Sequence, residues 1–255
     1  MNMPPLTTQK TVVLSPIPSP RVRMAARESI GYFSSASRVS ADGTTVIGTA
    51  ADDSSSNNRA AYWRTTDTIH APTIIDPGSY LFNQAYGASA DGSVIVGQSN
   101  MGPTIVAFRW ANATWATLPN YTSTSTSSAR GVSDDGQVTV GNSGDQAVRW
   151  IGTTAPQLLG TVGTAYAASA NGKIIVGVIG NPASGSSLAF LWDETNGVRA
   201  LDDVVTGLGV TLGGWSLAEA TDVADDGSVI VGWATNGTGE AAWMLNLAGT
   251  GVSGL

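Results

Sequence analysis

One short pattern ending in a turn dipeptide occurs five times along the 255-residue chain. Its copies are Arg38-Val-Ser-Ala-Asp-Gly43, Gly87-Ala-Ser-Ala-Asp-Gly92, Gly131-Val-Ser-Asp-Asp-Gly136, Ala167-Ala-Ser-Ala-Asn-Gly172 and Asp222-Val-Ala-Asp-Asp-Gly227. Five residues after each, beyond a mostly β-branched run, stands a second glycine: Gly48, Gly97, Gly141, Gly177 and Gly232. Asp-Gly or Asn-Gly between two strand-like runs is a strong hairpin signal. A type I′ turn, with both central residues at positive φ, is expected at each copy. The first glycines are spaced by 49, 44, 36 and 55 residues, a mean of 46.

Each unit reads as four short strands. The hairpin supplies two, and a variable loop leads to a third: Ala60-Ala-Tyr-Trp63, Ala107-Phe-Arg-Trp110, Ala147-Val-Arg-Trp150, Ala189-Phe-Leu-Trp192 and, one residue uncertain in register, Ala241-Ala-Trp-Met244. A weaker fourth follows, as in Pro72–Ile75, Trp115–Leu118, Gln157–Leu159 and Val198–Leu201. A period near 46 with four strands per unit fits a propeller blade, whereas a β-solenoid rung is about half that length. The second strand is apolar at consecutive positions, as expected where neighbouring blades cover both faces. The chain is therefore expected to be all-β: a five-bladed β-propeller over residues 31–255 behind an extended arm, residues 1–30. The last unit runs out after its third strand, so Thr11-Val-Val-Leu14 in the arm is expected to supply the closing strand and remove two open sheet edges.

Composition narrows the chemistry. With no Cys and a single His (His70) there is no disulfide, thiol nucleophile, Cys-type zinc site or multi-His site. Only four of the 19 acids are Glu and two of the 12 bases Lys, so helix-forming surface residues are scarce. No apolar run reaches the ~18 residues of a membrane span, and the Pro-rich start, with Pro4, Pro5, Pro16, Pro18 and Pro20, does not read as a secretory signal. The net charge of −7 divides into +3 in residues 1–30 and −10 in the remainder. That balance argues against a nucleic-acid-binding body and points to an arm that lays Lys10, Arg21, Arg23 and Arg27 on an acidic protein surface or on neighbouring subunits.

Ser89-Ala-Asp-Gly-Ser-Val-Ile-Val-Gly97 followed by Ala107-Phe-Arg-Trp110 resembles the HAF-type extracellular repeat of bacterial surface proteins, autotransporter passengers and phage proteins. Gly214-Trp215-Ser-Leu-Ala-Glu-Ala220, leading into Thr221–Gly227 and Ile230-Val-Gly232, is similar to that family's last repeat. The resemblance covers about residues 31–247. It implies surface display and a propeller-like fold, and brings no catalytic residues with it.

Candidate sites are few. Asp42, Asp91, Asp135 and Asp226, with Asn171 in the fourth copy, lack the further acids of a calcium loop and read as turn residues. Trp63, Trp110, Trp150 and Trp192 recur once per unit and read as inter-blade packing. Trp115, Trp215 and Trp233 fall outside that pattern, and of these Trp215 and Trp233 are the candidates for ligand contact. His70 reads as a surface residue without a triad. Gly207-Leu-Gly209 with Gly213 is mis-spaced for a dinucleotide loop and shows no flanking helix pattern. Thr122–Ser128 reads as a linker between blades. No catalytic residue, metal or cofactor is expected. The preferred function is a non-enzymatic interaction or structural module on a particle or cell surface, above all a phage virion component such as a decoration, fibre or tail-attachment protein. A glycan-binding adhesin is the first alternative and a carbohydrate hydrolase the second.

Overall fold

The computed structural model describes residues 34–52, 55–67, 72–75, 82–123, 126–180 and 187–250. Unit one comprises β1 (Ser34–Val39), β2 (Thr45–Asp52), β3 (Ser55–Arg64) and β4 (Thr73–Ile74); unit two comprises β5 (Asn83–Ala88), β6 (Val94–Met101), β7 (Thr104–Ala111) and β8 (Thr114–Thr117). Each is a four-stranded antiparallel meander in chain order. Units three and four share one seven-stranded sheet. It runs through β9 (Ser127–Val132), β10 (Val138–Ser143), β11 (Gln146–Ile151), the long β12 (Gln157–Ala168), β13 (Ile174–Ile179), β14 (Leu188–Asp193) and β15 (Gly197–Ala200). The first half of β12 pairs with β11 and the second with β13, so one strand is the outermost of unit three and the innermost of unit four. Gly160 and Gly163 take positive φ where it changes partner. Unit five has β16 (Ser216–Val223), β17 (Val229–Thr235) and β18 (Glu240–Asn246); among the described residues β18 pairs with β17 alone.

Each unit begins with the same turn. The Gly43 N–H donates to the Ser40 carbonyl at 2.9 Å, and the Ser40 N–H to the Thr45 carbonyl at 2.8 Å. Glycine alone takes positive φ, at Gly43, Gly92, Gly136, Gly172 and Gly227; none of the aspartates before them does. The expected type I′ turn is thus corrected to a type I turn with a glycine bulge. The physical reason is local: Asp91 Oδ1 accepts the Ser93 N–H at 2.9 Å and the Ser89 hydroxyl at 2.8 Å, while Ser89 Oγ accepts the Val94 N–H at 3.0 Å. Ser133 with Asp135, and Ser169 with Asn171, repeat this arrangement. These bonds, led by the Ser93 N–H, lower the Asp91 carboxyl to about 2. Asn171 accepts the same bonds without charge, so the position requires an acceptor rather than an anion.

The second glycine answers a different demand. Opposite it the inner strand slips register, between Ala85 and Gly87 in unit two and beside Ala129 in unit three. A Cβ on Gly97 would overlap the Gln84 carbonyl oxygen and stand 2.7 Å from the Phe108 ring. Gly177 lies likewise against Thr164 and Phe190, and Gly232 against Glu219 and Trp243. Trp243 faces Gly232 across the ladder as Phe108 faces Gly97. The third strand of unit five therefore aligns as Ala242-Trp-Met-Leu245, one residue beyond the expected Ala241–Met244.

The hydrophobic core is a series of layers between consecutive units. Ile47, Ala60 and Ile75 of unit one pack on Ala85, Ile95 and Phe108 of unit two; Val94, Val96 and Leu118 of unit two pack on Ala129, Val148 and Trp150 of unit three. Val138, Val140 and Leu159 meet Ile175, Phe190 and Trp192. Ile174, Val176 and Leu191 meet Leu217, Ile230 and Leu247. Consecutive apolar residues of β6 thus serve both neighbours, Ile95 towards unit one and Val94 and Val96 towards unit three. Side chains also satisfy the preceding unit's backbone: Asn83 accepts the Ala60 N–H, and Ser127 Oγ the Ala107 N–H at 2.8 Å. Ser127 and Ser128 are buried in β9, so the end of the serine and threonine run belongs to the inner strand rather than to a linker.

Backbone bonds then string the turns together. Asp42 N–H donates to Ala90 O, Ala90 N–H to Asp134 O, Asp134 N–H to Ala170 O and Ala170 N–H to Asp225 O, at 2.9–3.1 Å. A short helix, α1 (Leu201–Gly207), sits before the loop to β16 and buries Leu201 and Val205 against unit five. It corrects the expectation that no helix flanks Gly207–Gly213: two buried side chains four residues apart hold a helix of about two turns, too short for periodicity to reveal.

Candidate functional site

Three residues before the serine position of each turn, the five inner strands carry Ser37, Tyr86, Arg130, Tyr166 and Thr221. All five line one cavity of about 340 Å³, completed by Arg38 and Glu219. Alternation along the strand places them there, because every second side chain points into the layer between units and the others towards this cavity. Gly131 permits the close approach: a Cβ on it would stand 2.6 Å from the Tyr166 carbonyl oxygen.

Arg130 dominates the chemistry. Its guanidinium lies 4.5 Å from the Tyr86 ring centroid, over the ring face, and donates to the Tyr86 hydroxyl, while its Nε is buried without a hydrogen-bond partner. The Tyr86 hydroxyl in turn donates to Gln84 Oε1 at 2.9 Å. Burial raises the Tyr86 phenol above its ordinary value, opposed by the Arg130 charge. Burial also raises Tyr166, with the Glu219 charge acting in the same direction. Burial raises Glu219, against the indole N–H of Trp233 donating to its carboxylate and the positive charge of Arg130. A second cavity of about 220 Å³ lies towards the turns. Arg38 and Tyr166 line both, and Asp134, Asp222 and Asp225 line the second alone. Burial and the charges of Asp225 and Asp135 raise the Asp134 carboxyl.

The sequence-derived candidates fall in different places. Lys10, Arg21, Arg23, Arg27 and His70 lie outside the described residues. Trp233 is half-buried and reaches the cavity lining through its bond to Glu219. Trp215 is half-buried against the core between units four and five, away from the cavity lining. Trp63, Trp150 and Trp192 are buried, and Trp110 is half-buried with its ring 5.0 Å from that of Tyr62. Sequence reasoning passed over Arg38, Tyr86, Arg130, Tyr166 and Glu219. The available signal was that the position three before the serine differs in almost every copy while the residue before it is alanine in all five. Among the described residues no group of three His, Cys, Asp or Glu is placed to hold a metal ion, and no helix is long and apolar enough to cross a membrane.

No family model matches the sequence, and no curated protein matches it. Solved structures do resemble it. TolB from Acinetobacter baumannii is 14% identical with a TM-score of 0.52, over 85% of this chain and 52% of that one. A putative TolB from Agrobacterium tumefaciens is 13% identical with a TM-score of 0.52, over 82% of this chain and 72% of that one. A prolyl endopeptidase, from a study of inter-domain dynamics in catalysis and specificity, is 11% identical with a TM-score of 0.54, over 85% of this chain and 34% of that one. The chain thus spans about half the length of the first of these structures. At such identities the likeness concerns the fold alone, which is β-propeller-like.

Proposed function

We propose that the chain is a five-bladed β-propeller of the HAF-repeat type, acting as a non-enzymatic interaction module on a particle or cell surface. In the preferred form it is a phage virion component. One observation carries the reading: the side chains that repeat are spent on the scaffold. The carboxylates of Asp42, Asp91, Asp135 and Asp226 cap their own turns, and Trp150 and Trp192 fill layers between units. Function is then left to what does not repeat, namely the basic arm, the loops and the channel.

Closure belongs to the same proposal. Ser35 to Val39 of β1 are exposed, in contrast to the alternately buried β5, and β18 leaves Met244 72% exposed. Thr11–Leu14 would pair with β18, and the next turn-to-turn bond would run from Asp225 N–H to Ala41 O. Lys10, Arg21, Arg23 and Arg27 are then left to bind an acidic partner or a neighbouring subunit. The test is co-sedimentation of the native protein with its assembly, beside a variant with Arg21, Arg23 and Arg27 changed to Glu. The variant is expected to fold with an unchanged Tm and to stay in the supernatant; its retention in the pellet sinks the docking role. A second reading, a glycan-binding module, is favoured by Trp233 standing against Glu219 at the channel.

A further inference from the structure

Within the turn motif the five copies agree where they hold the fold and disagree where they face the axis. The glycines are invariant, the Asp position tolerates only Asn, and the serine is lost once. The channel position reads Ser, Tyr, Arg, Tyr, Thr. The residue before it is alanine in all five copies, so the fold fixes that neighbour and leaves the cavity position free to differ.

We propose that the cavity binds a carboxylate-bearing sugar residue, with Arg130 taking the carboxylate and Tyr166, Glu219, Ser37 and Thr221 taking the ring and its hydroxyls. Four features of the lining select that class. Arg130 presents a planar fork, already fixed against Tyr86, and such forks match carboxylates in paired hydrogen bonds. No aliphatic side chain lines this cavity, which disfavours an apolar ligand. Ser37 and Thr221, whose hydroxyl protons go to the Ile47 and Val231 carbonyls, offer acceptor oxygens to sugar hydroxyls beside the Glu219 carboxylate, and Tyr166 offers a flat apolar face. Arg38 and Arg130 against Glu219 leave a net +1, which a monoanion balances and a zwitterionic amino acid does not. A cavity of about 340 Å³ is at the small end of ligand sites and suits one ring rather than a long chain. A peptide carboxy-terminus meets Arg130 equally well but lacks the ring hydroxyls that the Glu219, Ser37 and Thr221 oxygens would accept.

This inference rests on the glycan reading and narrows it. The test is a nitrogen–proton NMR titration of the full chain with D-glucuronate, D-glucuronamide, D-glucose and triglycine at millimolar concentration. The resonances followed are the Tyr166 and Glu219 amides and the Trp233 indole. Glucuronate is expected to saturate these signals, with the amide, glucose and triglycine at least about tenfold weaker, the discrimination worth one charge-assisted hydrogen bond. Arg130→Gln should remove the preference for glucuronate, while Arg149→Gln, outside the cavity, should keep it. The amide supplies the same contrast if Arg130→Gln does not fold. Equal binding of glucuronate and its amide, tighter binding of triglycine, or no saturation by glucuronate overturns the proposal. Neutral sugars that shift Trp233 or Trp215 without charge preference overturn it while leaving the glycan reading standing.

Discussion

Gly141 offers the sharpest test of how the repeat holds itself together. It stands mid-strand in β10, where β9 slips register and brings its Ser128 carbonyl onto the glycine. In Gly141→Ala the new Cβ would overlap the Ser128 oxygen and lie 3.0 Å from both the Ser128 carbon and the Ala129 Cα. All three atoms are backbone, so no side chain can rotate away, and relief requires β9 to move by about 1 Å within a hydrogen-bonded sheet. Overpacking of this kind costs typically 1–3 kcal/mol, and the rigidity of the neighbours places this case at about 3 kcal/mol or above. For a chain of this size that is a fall in Tm of roughly 6–12 °C. Two controls separate the causes. Gly43 has nothing within 4 Å of its added Cβ but sits at φ +73°, so Gly43→Ala isolates backbone strain, about 1–2 kcal/mol. Gly207, the last residue of α1, has neither a close neighbour nor positive φ, and Gly207→Ala should be neutral or stabilising by up to about 1 kcal/mol. Urea denaturation followed by far-ultraviolet circular dichroism and by the buried Trp150 measures all three. A Gly141→Ala loss no larger than that of Gly43→Ala would refute the idea that the second glycine exists to admit the facing carbonyl.

Three further outcomes are expected. Asp91, Asp42 and Asp226 have carboxyls lowered in the folded state, chiefly by backbone and hydroxyl donors within their turns. Their stabilisation is therefore complete above the unfolded value of 3.8 and is lost as pH falls towards about 2 for Asp91. An acid melt of Asp91→Asn should lose that part of the pH slope while keeping the turn, as Asn171 does. Asn83→Ala strips a buried acceptor from the Ala60 N–H and a donor from the Ile75 carbonyl, and should cost about 2–3 kcal/mol by chemical denaturation. Deleting residues 1–17 should lower the Tm of the whole domain, since Thr11–Leu14 is proposed to cover the β18 edge; an unchanged Tm rejects the closing strand.

Much of the architecture was legible in the sequence. The Asp-Gly pairs, the second glycines and the third-strand tryptophans placed the strands of all five units within a few residues, because each records a local backbone demand. The turn type was misread, since Asp-Gly alone does not tell positive φ at both residues from an Asx bond with a single bulged glycine. Helix α1 escaped because only Leu201 and Val205 mark it. The cavity escaped for a deeper reason. Tyr86, Arg130, Tyr166 and Glu219 lie 36 to 53 residues apart at successive steps, and nothing short-range relates them.

Sequence by itself therefore determined the unit, meaning where its turns and strands fall and the glycines where backbone meets backbone. Tertiary structure decided what the units do together. It brings the five inner strands to one cavity, where a position with no pattern along the chain becomes a surface that all five copies share. Local sterics set the first and are written in neighbouring residues. The second depends on packing between units, which brings together side chains that the sequence keeps far apart.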